Sequence, residues 1–560
     1  MWTLFFLTLQ ALAQPLTTTA ETSQWLKTGR YPEVIELCQS FAKAYPQFVR
    51  CRDYGVSPEG RRLVYLHVKN FQLKKPLVSL WVQAGIHAGE VDGKDAGFWL
   101  LKDWLSNPVK RKIFSQVELV FIPALSPDAH ERFGAYNRPN QVGPQEMGWR
   151  VTSHNLNLNR DFLKTDAPEM RDLLKLWHQF TPHVSLDLHV TNGAQFKAQV
   201  GYVVSPTAHS GLSPQHLLGS KIEDQLIASM TQKSWLPLPF YPDLEDPQNP
   251  KRGFSRYVPG PRFSHGYWRL QGRIGVLVET HSWKDYATRV KIHRDTIATF
   301  LELLAREETL KEVIEAYDSS KASFLPLSFK TTEKFREISF PAFAYEVKTS
   351  PITSEKVVVY SKKVEDWKIP LYEELVVDKK IPTPQRGYYV PVQEAAWMKD
   401  KLSLHRISFE VLKKDLVTEL QVYRAGQSVF SSKPSEGRQT LTTTGEWTRE
   451  EVKLVKGSLF IPIHQKKAEL IARMFEPEAS DSFLSWGFFN RYFENKEYME
   501  DYVLEMVAQE MLKDPKIKEL FYQKLRNKEF RDSKELRFDF FYQRHPSWDQ
   551  VFNRYPILKL

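Results

Sequence analysis

Cysteine is nearly absent: only Cys38 and Cys51 occur among 560 residues, too few for a zinc cluster of thiolates or a disulfide-dense scaffold. An oxidising compartment would permit one disulfide closing a short loop; two buried thiols are the other reading, since spacing alone proves no bond. Beyond the N-terminus there is no run of about eighteen uncharged apolar residues, so nothing reads as a membrane span. A long basic block is missing too. The excess of 77 Lys and Arg over 67 Asp and Glu gives a net charge of +10, but the signs are interspersed and no zinc finger or ribonucleoprotein motif accompanies them, which argues against a nucleic-acid partner. Repeats and low-complexity stretches are likewise missing.

What is present begins with an uncharged apolar start, Met1 to Ala13, ending Ala11-Leu12-Ala13 before Gln14. This small-x-small pattern reads as a cleaved signal peptide over residues 1–13 and predicts export to a periplasmic or secreted location, although no Lys or Arg precedes the apolar run. The length exceeds one ordinary core and fits roughly two to four domains. Residues 20–320 alternate short apolar runs with amphipathic stretches, predicting an α/β fold with a mixed, mostly parallel sheet and helices on both faces. Its clearest strands are Leu77 to Val82, Val117 to Ile122, Val184 to Leu188 and Ile274 to Val278; its clearest helices are Asp95 to Leu105, Ala167 to Phe180 and Val290 to Leu304. Two long loops dense in Pro, Gly and Asn, Ser126 to Asn155 and Pro237 to Arg262, suggest a site. Alternating patterns over 330–477 predict a β-rich domain, and 480–560 predict a helical C-terminal region.

Three strands end in residues that bind or use a metal. His87 and Glu90 lie on the turn after the strand Leu77 to Val82, where open α/β sheets place ligands. By itself His-x-x-Glu is weak, since fifteen histidines produce about one such match by chance. The strand Val184 to Leu188 ends on His189, which by itself would read as a satisfied core histidine. Together they supply two imidazoles and a carboxylate, the donor set of a catalytic zinc that keeps one position open. The strand Ile274 to Val278 ends on Glu279, and a carboxylate after so apolar a run must be paired, solvated in a cleft or catalytic. Beside a zinc-bound water it would be the general base. His281, two residues on, reads as structural.

These residues resemble the zinc carboxypeptidase family, of the carboxypeptidase A type. The family's order of motifs is met by His87 and Glu90, then Asn159-Arg160, then His189, then Glu279. Gly55-Val56-Ser57-Pro58-Glu59-Gly60-Arg61 resembles its leading G-x-S-x-x-G-R pattern, and Ser126-Pro127-Asp128 its Asn-Pro-Asp turn. The resemblance implies one Zn2+ held by His87, Glu90 and His189, with Glu279 as catalytic base. Asn159 and Arg160 would then bind the substrate's C-terminal carboxylate, for which a planar guanidinium suits bidentate pairing. Arg150 corresponds to the oxyanion-stabilising arginine, though its spacing is shorter than in the digestive members. Tyr257, with Tyr267 as a rival, corresponds to a tyrosine that closes over substrate. Arg262, Ser264, His265 and Arg269 fall in the stretch of the specificity pocket. The implied substrate is a peptide or peptide-like molecule with a free carboxylate. A cell-wall muropeptide, an N-acyl amino acid, and an inactive zinc-retaining protein that only binds peptide are the alternatives.

Overall fold

The computed structural model describes residues 16–560 apart from 76, 192–193, 208–210, 212 and 307–309; the signal segment read at 1–13 lies outside the described residues. The first nine strands are β1 (Val49–Val56), β2 (Arg62–Val68), β3 (Val78–Ala84), β4 (Val117–Ile122), β5 (Val184–Thr191), β6 (Val200–Ser205), β7 (Pro237–Leu238), β8 (Phe254–Ser255) and β9 (Ile274–His281). All but β8 form one sheet in the order β1-β2-β4-β3-β5-β9-β6-β7. Its centre, β4-β3-β5-β9, is parallel, and β2 and β6 join it antiparallel on either side. This is the mixed, mostly parallel sheet that the apolar runs predict.

Alternation along each strand divides the core. Leu80, Val82, Leu186, Leu188, Val276 and Val278 pack with the helices Tyr31–Ala44, Asp92–Ser106, Pro214–Gln232 and Tyr286–Arg306 on one face. On the other face Trp81, Val120 and Ile122 meet the helices Pro168–Phe180 and Ser264–Leu270. A Cys38–Cys51 disulfide fastens the first of these helices to β1.

The remaining strands are β10 (Phe324–Thr331), β11 (Arg336–Thr349), β12 (Lys356–Tyr372), β13 (Leu375–Pro382), β14 (Gly387–Val390), β15 (Glu410–Val411), β16 (Leu416–Phe430), β17 (Leu441–Leu454), β18 (Leu459–Pro462) and β19 (Arg554–Lys559). β10 pairs with β13, and the long β11-β12 hairpin takes in β8. The last six strands form a sheet in the order β15-β18-β14-β19-β16-β17. Helices Asp501–Met511 and Pro515–Lys524 follow the sequence reading; Pro515 opens its helix, and Asp514 caps it through the backbone amides of Lys516 and Ile517.

Two elements do not show in the alternation. The helix Val392–Leu404 sits among strands, burying Ala395, Met398 and Leu402. β19 contains Pro556 and reads poorly as a strand, yet it is held between β14 and β16. Among the described residues no helix is long and apolar enough to cross a membrane.

One apolar cluster runs from Trp81, Tyr267 and Trp268 into Tyr388, Met398, Leu470, Phe483 and Tyr555, so the later region covers one face of the main sheet. Ion pairs lock the junction. Arg269 donates two hydrogen bonds to Glu469 (3.1 and 2.8 Å), and Arg473 donates a third (3.2 Å). All three side chains are buried. Removing the carboxylate would strand two guanidiniums away from water, a loss of about 3–5 kcal/mol. Glu469→Leu should therefore destabilise the protein by that amount in urea unfolding. A loss below about 1 kcal/mol would mean that the regions dock without these pairs.

Candidate metal centre and cleft

Sheet register places the first two functional side chains. β5 and β9 run parallel with His189 opposite Glu279, and neighbouring strands lie about 4.8 Å apart, so the two side chains rise next to each other on one face. On that face β5 presents Asp187 and then His189, two residues apart. β3 ends at Ala84, and the turn after it delivers His87 and Glu90. Gly85 begins this turn at φ +65°, where a Cβ would sit 3.3 Å from the Ala124 backbone, so glycine serves the turn better than any L side chain.

His87 Nδ1 lies 3.0 Å from Glu90 Oε1, and His189 Nδ1 lies 3.0 Å from Glu90 Oε2. One ligand atom from each of the three residues falls within 4.8 Å of the others, and all three are buried. Two imidazole nitrogens and a carboxylate make the donor set of a catalytic zinc. The far side of each imidazole is also held. His87 Nε2 donates to Asn157 Oδ1 at 3.1 Å, and His189 Nε2 lies 3.0 Å from Asp187 Oδ2. Such outer partners fix ring orientation and tautomer for a metal ligand. Glu90 further accepts from Arg138 (2.6 Å) and from the Val190 amide (3.0 Å). The residues present fit the ion.

The electrostatics suit a cation. Burial opposes a charged His189, but Asp187, Glu90 and Glu279 outweigh it and raise its pKa well above the imidazole range. Burial drives His87 the other way, down to about 4. Burial also raises the Glu279 carboxyl; His189 opposes this, while the like charges of Glu90 and Asp187 add to it. Three carboxylates are thus gathered at low dielectric, and a divalent cation would stabilise all of them.

The centre opens into a cleft of about 400 Å³ lined by His87, Glu90, His189 and Glu279 and also by Arg150, Asn159, Arg160 and Tyr257. These eight residues, all read from the sequence, therefore meet in one place. Asp161 fixes the turn that carries Asn159 and Arg160 by accepting from the amides of Asp166 (3.0 Å) and Ala167 (2.8 Å). The Arg160 guanidinium lies over the Phe263 ring at 4.6 Å. Burial, then the nearby charges of Arg262 and Arg150, hold it below the usual arginine range.

Tyr257 is 38 % exposed, whereas its rival Tyr267 is buried, bonded through its hydroxyl to His405 (2.9 Å), and lies away from the cleft. Arg262 and His265 line the cleft; Arg269 instead pairs with Glu469. The ring nitrogens of His281 lie 3.3 and 3.2 Å from the backbone amides of Phe196 and Trp283, one of which a neutral imidazole can accept from, a structural role. The two leading motifs meet each other: Ser57 (2.6 Å), Arg61 (2.7 Å) and the Glu59 amide (3.0 Å) all donate to Asp128.

Four residues escaped the sequence reading: Asp187, Asn157, Arg138 and Tyr241, the last a further lining residue of the cleft. Asp187 had a usable signal, a carboxylate two positions before His189 in an apolar strand and so on the same face. Arg138 and Tyr241 come from the long loops and had none.

Comparison with known proteins matches residues 34–193 to the zinc carboxypeptidase family model. Carboxypeptidase 2 of Trichophyton rubrum is 20 % identical over 465 residues, covering 77 % of this chain and 78 % of that protein. Among solved structures, the metallo-carboxypeptidase from Burkholderia cenocepacia is 18 % identical and covers 48 % of this chain and 68 % of its own, with a TM-score of 0.36. Carboxypeptidase A from Helicoverpa armigera is 14 % identical, with 51 % and 74 % covered and a TM-score of 0.37.

If Asp187 orients a metal ligand, Asp187→Asn should weaken zinc binding by about 10- to 100-fold. Competition against a chromogenic chelator measures this, and wild-type affinity in the variant would leave Asp187 without that role.

Proposed function

We propose, from the match of residues 34–193 to the zinc carboxypeptidase family model, that this chain is a metallocarboxypeptidase that removes C-terminal residues from peptides, with Glu279 as its general base. One observation carries the reading: His87, Glu90 and His189 converge next to Glu279 in a cleft that also holds Asn159, Arg160 and Arg150. His87, Glu90 and His189 would hold a zinc ion, which would supply Lewis acidity toward a carbonyl and toward water.

The chain's own groups do the rest. Arg160, with Asn159, binds the free carboxylate of the substrate and so sets which amide bond lies over the centre. Glu279, kept ionised by a cation beside it, would accept a proton from the attacking water and pass it to the leaving amine. Arg150 is assigned to the charge developing on the carbonyl oxygen. Tyr257, at the open edge of the cleft, covers bound substrate. The Cys38–Cys51 disulfide supports an exported, oxidising setting, periplasmic or secreted.

Glu279→Gln should keep its zinc yet lose about 10²–10⁴-fold in turnover. A peptide ending in a carboxamide should be cleaved about 10- to 100-fold less efficiently than its free acid, the worth of one charged hydrogen bond. Mass spectrometry of the products and metal analysis of the variant check both. Full turnover by Glu279→Gln, or equal rates on acid and amide, would overturn this reading.

A further inference from the structure

The turn between β16 and β17 reaches Asn157, the neighbour of the His87 ring, from a distant part of the chain. Its tip is tight: Ser435 and Arg438 exchange backbone hydrogen bonds of 2.7 and 3.0 Å, with Glu436 at φ 51° and Gly437 at φ 72° between them. A left-handed glutamate costs about 1–2 kcal/mol, so the surrounding contacts must hold it. Arg438 does so by donating two hydrogen bonds to Asp166 (2.7 and 3.0 Å), its guanidinium 3.5 Å from the Phe488 ring centroid.

Glu436 Oε2 then accepts from the backbone amide of Asn157 at 2.7 Å. Asn157 is a junction. Its Oδ1 accepts from His87 Nε2 at 3.1 Å and from the Asn159 amide at 3.0 Å. Because a backbone amide can only donate, the Asn159 bond fixes Oδ1 as the acceptor. His87 must then carry its proton on Nε2, which leaves the Nδ1 lone pair facing Glu90. Glu436 therefore holds the residue that sets both the tautomer of a metal ligand and the start of the Asn159-Arg160 turn.

We propose that Glu436 is a positioning residue of the metal centre, through which the added β-rich region completes the active site. Its carboxylate anchors the Asn157 backbone; without it Asn157 would be free to shift, and both His87 and Asn159 would lose their alignment. The inference rests on His87 being a metal ligand.

The test measures zinc affinity by chelator competition, and KM and kcat on a free-acid peptide, for the full chain and three variants. Glu436→Ala should bind zinc about tenfold more weakly, at the low end of the effect of outer partners, and should raise KM more than it lowers kcat. Glu436→Gln keeps an acceptor oxygen and should stay within about twofold of wild type. Arg171→Ala removes the exposed Arg171–Asp400 ion pair, which joins the same two regions without holding this turn, and should leave zinc affinity unchanged.

Unchanged zinc affinity in Glu436→Ala, equal weakening in Glu436→Gln, or equal weakening in Arg171→Ala would each overturn the proposal. If Glu436→Ala does not fold, Glu436→Ser takes its place; failure of both to fold makes Glu436 a folding residue and overturns it as well. A wild-type chain that binds no zinc, or a His87→Ala variant that binds it normally, would instead refute the ligand assignment.

Discussion

Everything at the site hangs on the pairing of β5 with β9. Because the two strands run parallel with His189 opposite Glu279, a metal-type ligand and a carboxylate are brought side by side at the carboxyl ends of the strands, where an open sheet leaves a crevice. A slip of one residue would turn both side chains to the other face. The flanking apolar residues forbid it: Leu186, Leu188, Val276 and Val278 are fully buried in the opposite core, and a slip would exchange them for Asp187, His189 and Glu279. Ordinary hydrophobic alternation thus positions the chemistry.

The cost of this arrangement is electrostatic. Asp187, Glu90 and Glu279 lie close together and largely away from water, and among the described residues Arg138 is the one arginine that hydrogen-bonds directly to one of them. Buried carboxylates of like charge are stable only if one holds a proton or a cation sits among them. The raised pKa of His189 and the raised pKa of Glu279 are two expressions of that excess. Such an excess would favour a cation over a neutral occupant, and two imidazole donors would suit zinc better than the oxygen-seeking ions.

Much of this was legible in the sequence, for identifiable reasons. Strands buried on both faces read as apolar runs, so β3, β4, β5 and β9 and the residues ending them could be found directly. The order of His87, Glu90, Asn159, Arg160, His189 and Glu279 then carried the family resemblance, and the structure brings all six to one cleft. Contacts between distant segments were not legible. Glu436 reaches Asn157 across 279 positions, and Arg138 reaches Glu90 from a loop with no periodic pattern. Local sequence encodes neither a loop's path nor which loop meets which. The helix Val392–Leu404 and the strand β19 were hidden for a related reason, since tertiary pairing decides their state more than local preference does.

The added β-rich and helical regions share a core with the main sheet and meet the surroundings of the site where Glu436 bonds Asn157 and where Asp481 bonds Arg262. The central claim remains the identity of the metal centre. X-ray absorption at the zinc edge of the loaded protein tests it most directly. The account predicts a first shell of two imidazole nitrogens with carboxylate and water oxygens at about 2.0–2.2 Å, and loss of one imidazole in His189→Ala. A shell of oxygens alone, or one unchanged by that substitution, would contradict it.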